Sequence, residues 1–211
     1  MGDLKLFGRR GWGSVLTEAQ LAWYGLSYEF AEVGDLFTDQ GAREALEVYN
    51  PLAQVPTLVL PDGQIMTESA AITLLLAEEA GSRDLVPAPG EPERARFLRW
   101  LIFITSNIYP TYTYADDPAR FVPDASAQAG FAETVTDYAK RLYGVLNGEV
   151  TGPWFLGTRF SAMDIYVCTL THWRPGQGWF REHAPALSSI AKATKALPEL
   201  TEVWAANYPE S

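Results

Sequence analysis

The sequence predicts two parts: an α/β unit built on a four-stranded mixed sheet, then an all-helical unit. Three observations predict this. Strand and helix patterns alternate through residue 80, prolines and glycines crowd residues 81–92, and beyond them apolar residues recur at helical spacing. The expected division is 1–80, a linker over 81–92, and 93–211.

Leu4-Lys5-Leu6-Phe7 reads as a short strand stopped by Gly8. Ser14 then precedes Val15, Ala19, Ala22, Trp23 and Leu26, the stripe of an amphipathic helix that ends at Gly25. Ser27 to Glu32 suits a second strand. Residues 41–49 suit a short helix, halted by Asn50-Pro51 because the residue before proline avoids the helical region. Val55 to Leu60 is β-branched and apolar, and Asp62-Gly63 turns it into Gln64-Ile65-Met66 as a hairpin. Glu68-Ser69 opens a helix from Ala70 to Glu79, apolar nearly all round and therefore buried. A β-α-β unit implies parallel strands, and the hairpin adds an antiparallel one.

In the second part Phe97, Leu101, Ile104 and Ile108 share one helical face. Phe131, Val135, Tyr138, Leu142 and Val145 share another, and Ile165, Tyr166, Thr169, Leu170 and Trp173 a third. Shorter helices are expected at 185–195 and 198–206. Pro110 is expected to kink its helix.

Composition removes several classes of function. Sixteen Lys and Arg stand against 26 Asp and Glu, a net charge of −10, which opposes nucleic-acid binding. The one cysteine, Cys168, and the two histidines, His172 and His183, leave no disulfide framework, CxxC pair or metal cluster to expect. The N-terminus lacks a signal-peptide pattern and no apolar run approaches ~18 residues. A cytoplasmic protein is the expectation. Residues 1–80 carry four basic and twelve acidic residues, and two of those bases, Arg9 and Arg10, are adjacent. They read either as incidental or as a cationic spot for a small anion.

Three separated motifs then stand in register: Asn50 to Leu58 with Val55-Pro56 at its centre, Thr67-Glu68-Ser69-Ala70-Ala71-Ile72, and Phe155-Leu156-Gly157 followed by Phe160 to Asp164. With this pattern the chain resembles the cytosolic-type glutathione S-transferases of bacteria over its whole length. The resemblance implies a thioredoxin-like first domain, an all-α second domain, glutathione as co-substrate, no metal, a hydrophobic electrophile as second substrate, and a homodimer. It also implies a cis Val55-Pro56 bond, which would turn the Val55 N–H and C=O toward a peptide ligand. The other reading is an ordinary proline starting an edge strand. Glu68 and Ser69, at a helix N-terminus, suit the ammonium and carboxylate of a γ-glutamyl group, or else simply cap the helix. Gln54 belongs to the same segment. Ser161 and Asp164 read as a capping box that nucleates a core helix.

The family places a catalytic Tyr, Ser or Cys after the first strand. Here those positions fall on Phe7, on Gly11 or Trp12, and on Gly13, none with a hydroxyl or thiol. Ser14 is the nearest hydroxyl. It is the expected sulfur partner, through its side chain or its N–H, and also a candidate N-cap. Arg9 would offset the anion and Trp12 would wall the pocket. Tyr109, Tyr112, Tyr114 and Trp173 read as an electrophile pocket or as interdomain packing. Glutathione-dependent disulfide or peroxide reduction and a noncatalytic binding module of the same fold stand as alternatives.

Overall fold

The computed structural model describes residues 3–209. Met1, Gly2, Glu210 and Ser211, which the expected division includes at its two ends, lie outside the described residues. The chain forms two compact units. One runs through Val86 and takes in the segment from Lys195 onward; the other is Pro87–Thr194.

In the first unit β1 (Leu4–Gly8), α1 (Val15–Tyr24), β2 (Tyr28–Glu32), α2 (Gln40–Glu47), β3 (Thr57–Val59), β4 (Ile65–Met66) and α3 (Ser69–Glu79) follow in order. The sheet runs β2-β1-β3-β4, with β1 parallel to β2 and both remaining pairs antiparallel. This is the mixed four-stranded sheet the pattern predicts. Alternation along β1 divides its two faces. Leu4 and Leu6 pack with Leu21 of α1, Leu58 of β3, and Ile72 and Leu76 of α3. Phe7 faces the other way, toward Leu36, Leu46 and Ala53, where Trp12, Val33 and Val55 also pack. Gly25 closes α1 in the left-handed conformation that glycine adopts without steric cost.

The second unit holds α4 (Arg94–Phe103), α5 (Tyr109–Asp116), α6 (Ala125–Gly148), α7 (Ala162–His172), α8 (Gln177–His183) and nearly all of α9 (Pro185–Lys195). Its largest buried side chains are Trp100, Tyr143, Tyr166, Phe97, Phe155 and Phe180. At Pro110 the helix forms a π turn over Ile104–Ile108, with the Tyr109 N–H reaching back to Ile104. The ring nitrogen of Pro110 has no proton for the regular ladder, and one widened turn absorbs the mismatch.

Two sequence expectations are corrected, and one further helix is found. On α6 the buried residues are Ala139, Leu142, Tyr143 and Leu146, while Tyr138 and Val145 are exposed. The i, i+3, i+4, i+7 row that contains the hydroxyl-bonded Tyr143 wins over the parallel row beside it. Residues 177–183 form a helix for which the sequence pattern gave no expectation. The last helix, α10 (Thr201–Asn207), preceded by a 3-10 turn at Pro198–Leu200, packs on α1 and belongs to the sheet unit. Its buried Val203, Trp204 and Asn207 line one face.

Candidate functional site

One end of the sheet gathers most of the residues singled out in the first unit. β1 leaves at Gly8 into the loop 9–14, and β3 enters after Val55-Pro56. Continuing the Leu58–Met66 register by two residues brings Glu68 opposite Pro56. The N-termini of α1 and α3 therefore open at the same end.

The loop is tightly braced. Ser14 is fully buried, and its Oγ accepts from the Arg9 N–H and donates to the Arg9 carbonyl, both at 3.0 Å. Ser14 itself has helical backbone angles and makes no capping bond. The expected N-cap role is thus corrected, and the one hydroxyl proton closes the loop from within. Trp12 N–H bonds to the same Arg9 carbonyl at 3.0 Å. Arg9 donates to the Val33 carbonyl at 3.3 Å, lies 3.5 Å from an Asp35 oxygen, and sits 5.2 Å from the Trp12 ring centre. Trp12 packs against Phe37 at 5.2 Å and joins the Leu36 cluster that also holds Val55. Arg9, Trp12 and Val55 are therefore neighbours, with part of the Arg9 charge already met by Asp35.

Gly13 sits against the ligand strand. A Cβ built on it would lie 3.0 Å from the Val55 carbonyl oxygen, so the near contact favours glycine. The N–H groups of Gly13 and Ser14 form no hydrogen bond to other described residues. Orphan N–H groups at the mouth of a helix form a ready site for negative charge.

Val55-Pro56 is cis. β3 starts only at Thr57, and the Val55 N–H and C=O bond to no other described residue. Asn50, which the sequence offered only as a helix stop, shapes this segment. Its buried amide donates to the Gln54 carbonyl at 3.0 Å and the Thr57 hydroxyl at 3.1 Å, and its oxygen accepts from Leu52 N–H. Gln54 leaves its side chain exposed. Glu68 is exposed and makes no cap bond to α3; its φ is +63°, a region few residues other than glycine enter. Ser69 is buried at the first position of α3. Among the readings of this pair, capping by Glu68 is removed.

Behind the loop lies a buried polar cluster that the sequence did not reveal. Glu18 of α1 is almost fully buried, pairs with Arg10, and accepts from Asn207 of α10 at 3.3 Å. Asn207 also accepts from the Gly11 N–H at 2.9 Å and donates to the Val203 carbonyl at 3.0 Å. Burial pushes the Glu18 carboxyl above its ordinary value, against the pull of Arg10 and Asn207. Arg10 in turn lies over the Phe30 ring at 4.1 Å.

In the helical unit the capping box at Ser161 and Asp164 is formed. Asp164 accepts from Ser161 N–H at 2.8 Å, from Phe155 N–H at 2.7 Å and from the Ser161 hydroxyl at 3.1 Å. Burial nevertheless pushes its carboxyl up to about 7. Tyr109, Tyr112 and Trp173 form one aromatic group, with Tyr112 edge-on to Trp173 at 5.2 Å. The Tyr112 hydroxyl bonds to Tyr143 and to the Arg174 carbonyl, so it serves the unit's interior. Tyr114 is separate, against Phe121 at 4.9 Å. Cys168 is buried within α7. Among the described residues no group of three or more His, Cys, Asp or Glu is placed to hold a metal, and no helix is long and apolar enough to cross a membrane.

Fold and site together define a thioredoxin-like sheet unit with a helical companion unit, open at the end that carries Val55, Glu68 and the loop. Residues 17–79 match the family model "Glutathione S-transferase, N-terminal domain". The chain is 40% identical to the uncharacterized GST-like protein YncG of Escherichia coli K12, over 97% of this chain and 98% of that one. It belongs to the glutathione S-transferase family. A sphingomonad glutathione S-transferase solved with glutathione matches at 28% identity and TM-score 0.78, covering 96% and 98% of the two chains. A glutathione transferase homologue from Sulfitobacter with bound glutathione is similar in fold, at TM-score 0.86 and 23% identity over 96% and 97%.

Proposed function

We propose that this protein binds glutathione at the open end of its sheet and conjugates the thiolate to a hydrophobic electrophile. The observation that carries the reading is the unpaired Val55 peptide beside Gly13 and the α1 N-terminus. The cysteinyl unit of glutathione pairs with the Val55 N–H and C=O as a one-residue antiparallel strand. Its γ-glutamyl carboxylate meets the α3 N-terminus at Ser69, and its ammonium meets Glu68. Gln54 flanks this strand, while Arg9 and Trp12 border the loop side.

That placement brings the sulfur to the N–H groups of Gly13 and Ser14. A free thiol titrates near pH 8.5, and lowering it by two units takes about 2.7 kcal/mol of selective thiolate stabilisation. Amide donors and the helix N-terminus supply it, in place of the hydroxyl used elsewhere. The electrophile is held by the helical unit, and the Tyr109, Tyr112 and Trp173 group is the proposed wall. Two copies are proposed to act as a homodimer.

Calorimetric titration with glutathione tests binding, and Glu68→Ala is expected to weaken it about tenfold, the loss of one charge-assisted contact. Turnover of a chlorodinitrobenzene-type electrophile tests conjugation, and reduction of a small disulfide tests the reductase alternative. The inward Ser14 hydroxyl favours a second reading, a binding module without catalysis. Tight binding with no turnover of either substrate would establish it. No binding would refute the enzymatic readings.

A further inference from the structure

The loop that carries the proposed thiolate donors is held from behind by α10. Gly11 has φ of +77°, and its N–H is received by the Asn207 side chain, itself only 6% exposed. The same amide group holds one Glu18 oxygen and the Val203 carbonyl, so both ends of the Asn207 side chain are committed. Glu18 pairs with Arg10, the residue before Gly11. Loop residues 10 and 11, the first turn of α1 and the end of α10 therefore form one closed circuit. Ser14 closes the loop a second time through Arg9. The N–H groups of Gly13 and Ser14, two to three residues beyond the clamp, bond to no other described residue.

We infer that Asn207 is a positioning residue for the thiol site, setting the Gly13 and Ser14 N–H groups through its bond to Gly11 and its hold on Glu18. Asn207 touches neither Val55 nor Glu68 among the described contacts, so it governs the sulfur end of the ligand and leaves the peptide end alone. A neutral amide is required there. It must accept from Gly11 and donate to a carboxylate at once, and neither Asp nor Ala does both. This inference rests on the glutathione reading above.

The test compares wild type, Asn207→Ala, Asn207→Asp and the double variant Glu18→Gln with Asn207→Asp. The double variant exchanges donor and acceptor between residues 18 and 207 and restores that contact with the roles reversed, giving up the donation to the Val203 carbonyl. Calorimetry reads glutathione affinity, thiolate absorbance in the ultraviolet reads the pKa of the bound thiol, and kcat/KM for conjugation is followed against pH. With Asn207→Ala the affinity is expected to stay within about twofold, while the bound thiol titrates about one unit higher and kcat/KM at neutral pH falls about tenfold. Asn207→Asp is expected to do the same or worse, by setting two carboxylates face to face, and the double variant to recover most of the loss. A folded Asn207→Ala protein that binds glutathione with an unchanged thiol pKa overturns the inference. If the single variants do not fold, a folded double variant with an unrestored thiol pKa overturns it equally. If wild type itself fails to bind glutathione, the functional reading falls first and takes this one with it.

Discussion

Two residues at the sheet end separate a proposed ligand contact from a structural one. Ser14 has its hydroxyl bonded twice to the Arg9 backbone and no exposure. Ser14→Ala is expected to lower stability by about 1–3 kcal/mol, since it strands buried backbone groups. Denaturant unfolding reads this, and glutathione affinity should change little. A loss of turnover with no loss of stability would instead return the hydroxyl to the sulfur. Glu68 makes the opposite case. It holds φ at +63° with no bond to its helix, and strain of this kind gathers at functional sites. Glu68→Gly is expected to raise the melting temperature, by relief worth about 1 kcal/mol, and at the same time to weaken glutathione binding. A variant with weaker stability and unchanged affinity would contradict both halves.

At the scale of elements, α7 depends on its capping box. Asp164 receives three donors at the mouth of a helix whose residues 162–171 are buried. Asp164→Ala leaves two buried N–H groups without partners and is expected to cost about 2 kcal/mol or more. The carboxyl also links stability to pH. Its folded value of about 7 lies above the ordinary 3.8, so the native state holds the proton more tightly. This contribution is complete below about pH 4 and is lost as pH rises toward 7, at up to about 1.4 kcal/mol per unit. Unfolding free energies measured across that range should fall with pH more steeply for wild type than for Asp164→Asn. Parallel curves would show that the group does not titrate there.

Elements also show how far the sequence could be read. The strand and helix order, the Val55-Pro56 segment and the Ser161–Asp164 box are local patterns, set by spacing and by residue types with few conformational choices. The burial of Ser14 was not legible, because its partners are backbone atoms of Arg9 and no side-chain pattern announces them. The phase of α6 was ambiguous for another reason: rows 138/142/145 and 139/142/143/146 overlap, and only packing chooses between them. Asn207 carried no signal at all. An asparagine near the end of a short helix reads as a cap, and its partners Gly11 and Glu18 lie across nearly the whole sequence.

The molecule as a whole is acidic, and unevenly so. Four basic and twelve acidic residues in the first 80 give the unit that carries the site proposed for an anionic tripeptide a strong negative charge. Arg10 is spent on Glu18 and Arg9 is shared with Asp35. In the proposed complex, long-range repulsion therefore opposes the approach of glutathione, while short-range donors hold it. Because salt shortens the reach of the first more than the second, glutathione association should quicken by a few-fold between low and physiological ionic strength. Stopped-flow fluorescence, with Trp12 as reporter, reads the rate. A steady slowing with salt would mean that the local field at the site is positive.

The return of α10 to the sheet unit also sets an order in time. A chain made from its N-terminus exposes β1, the loop and α1 early, yet Gly11 and Glu18 wait for Asn207 until all of Pro87–Thr194 has been synthesised. Domains generally fold as units while the chain emerges, but this one is interrupted. During synthesis the 9–14 loop therefore stays unlatched until α10 has been made, long after β1, the loop and α1 themselves.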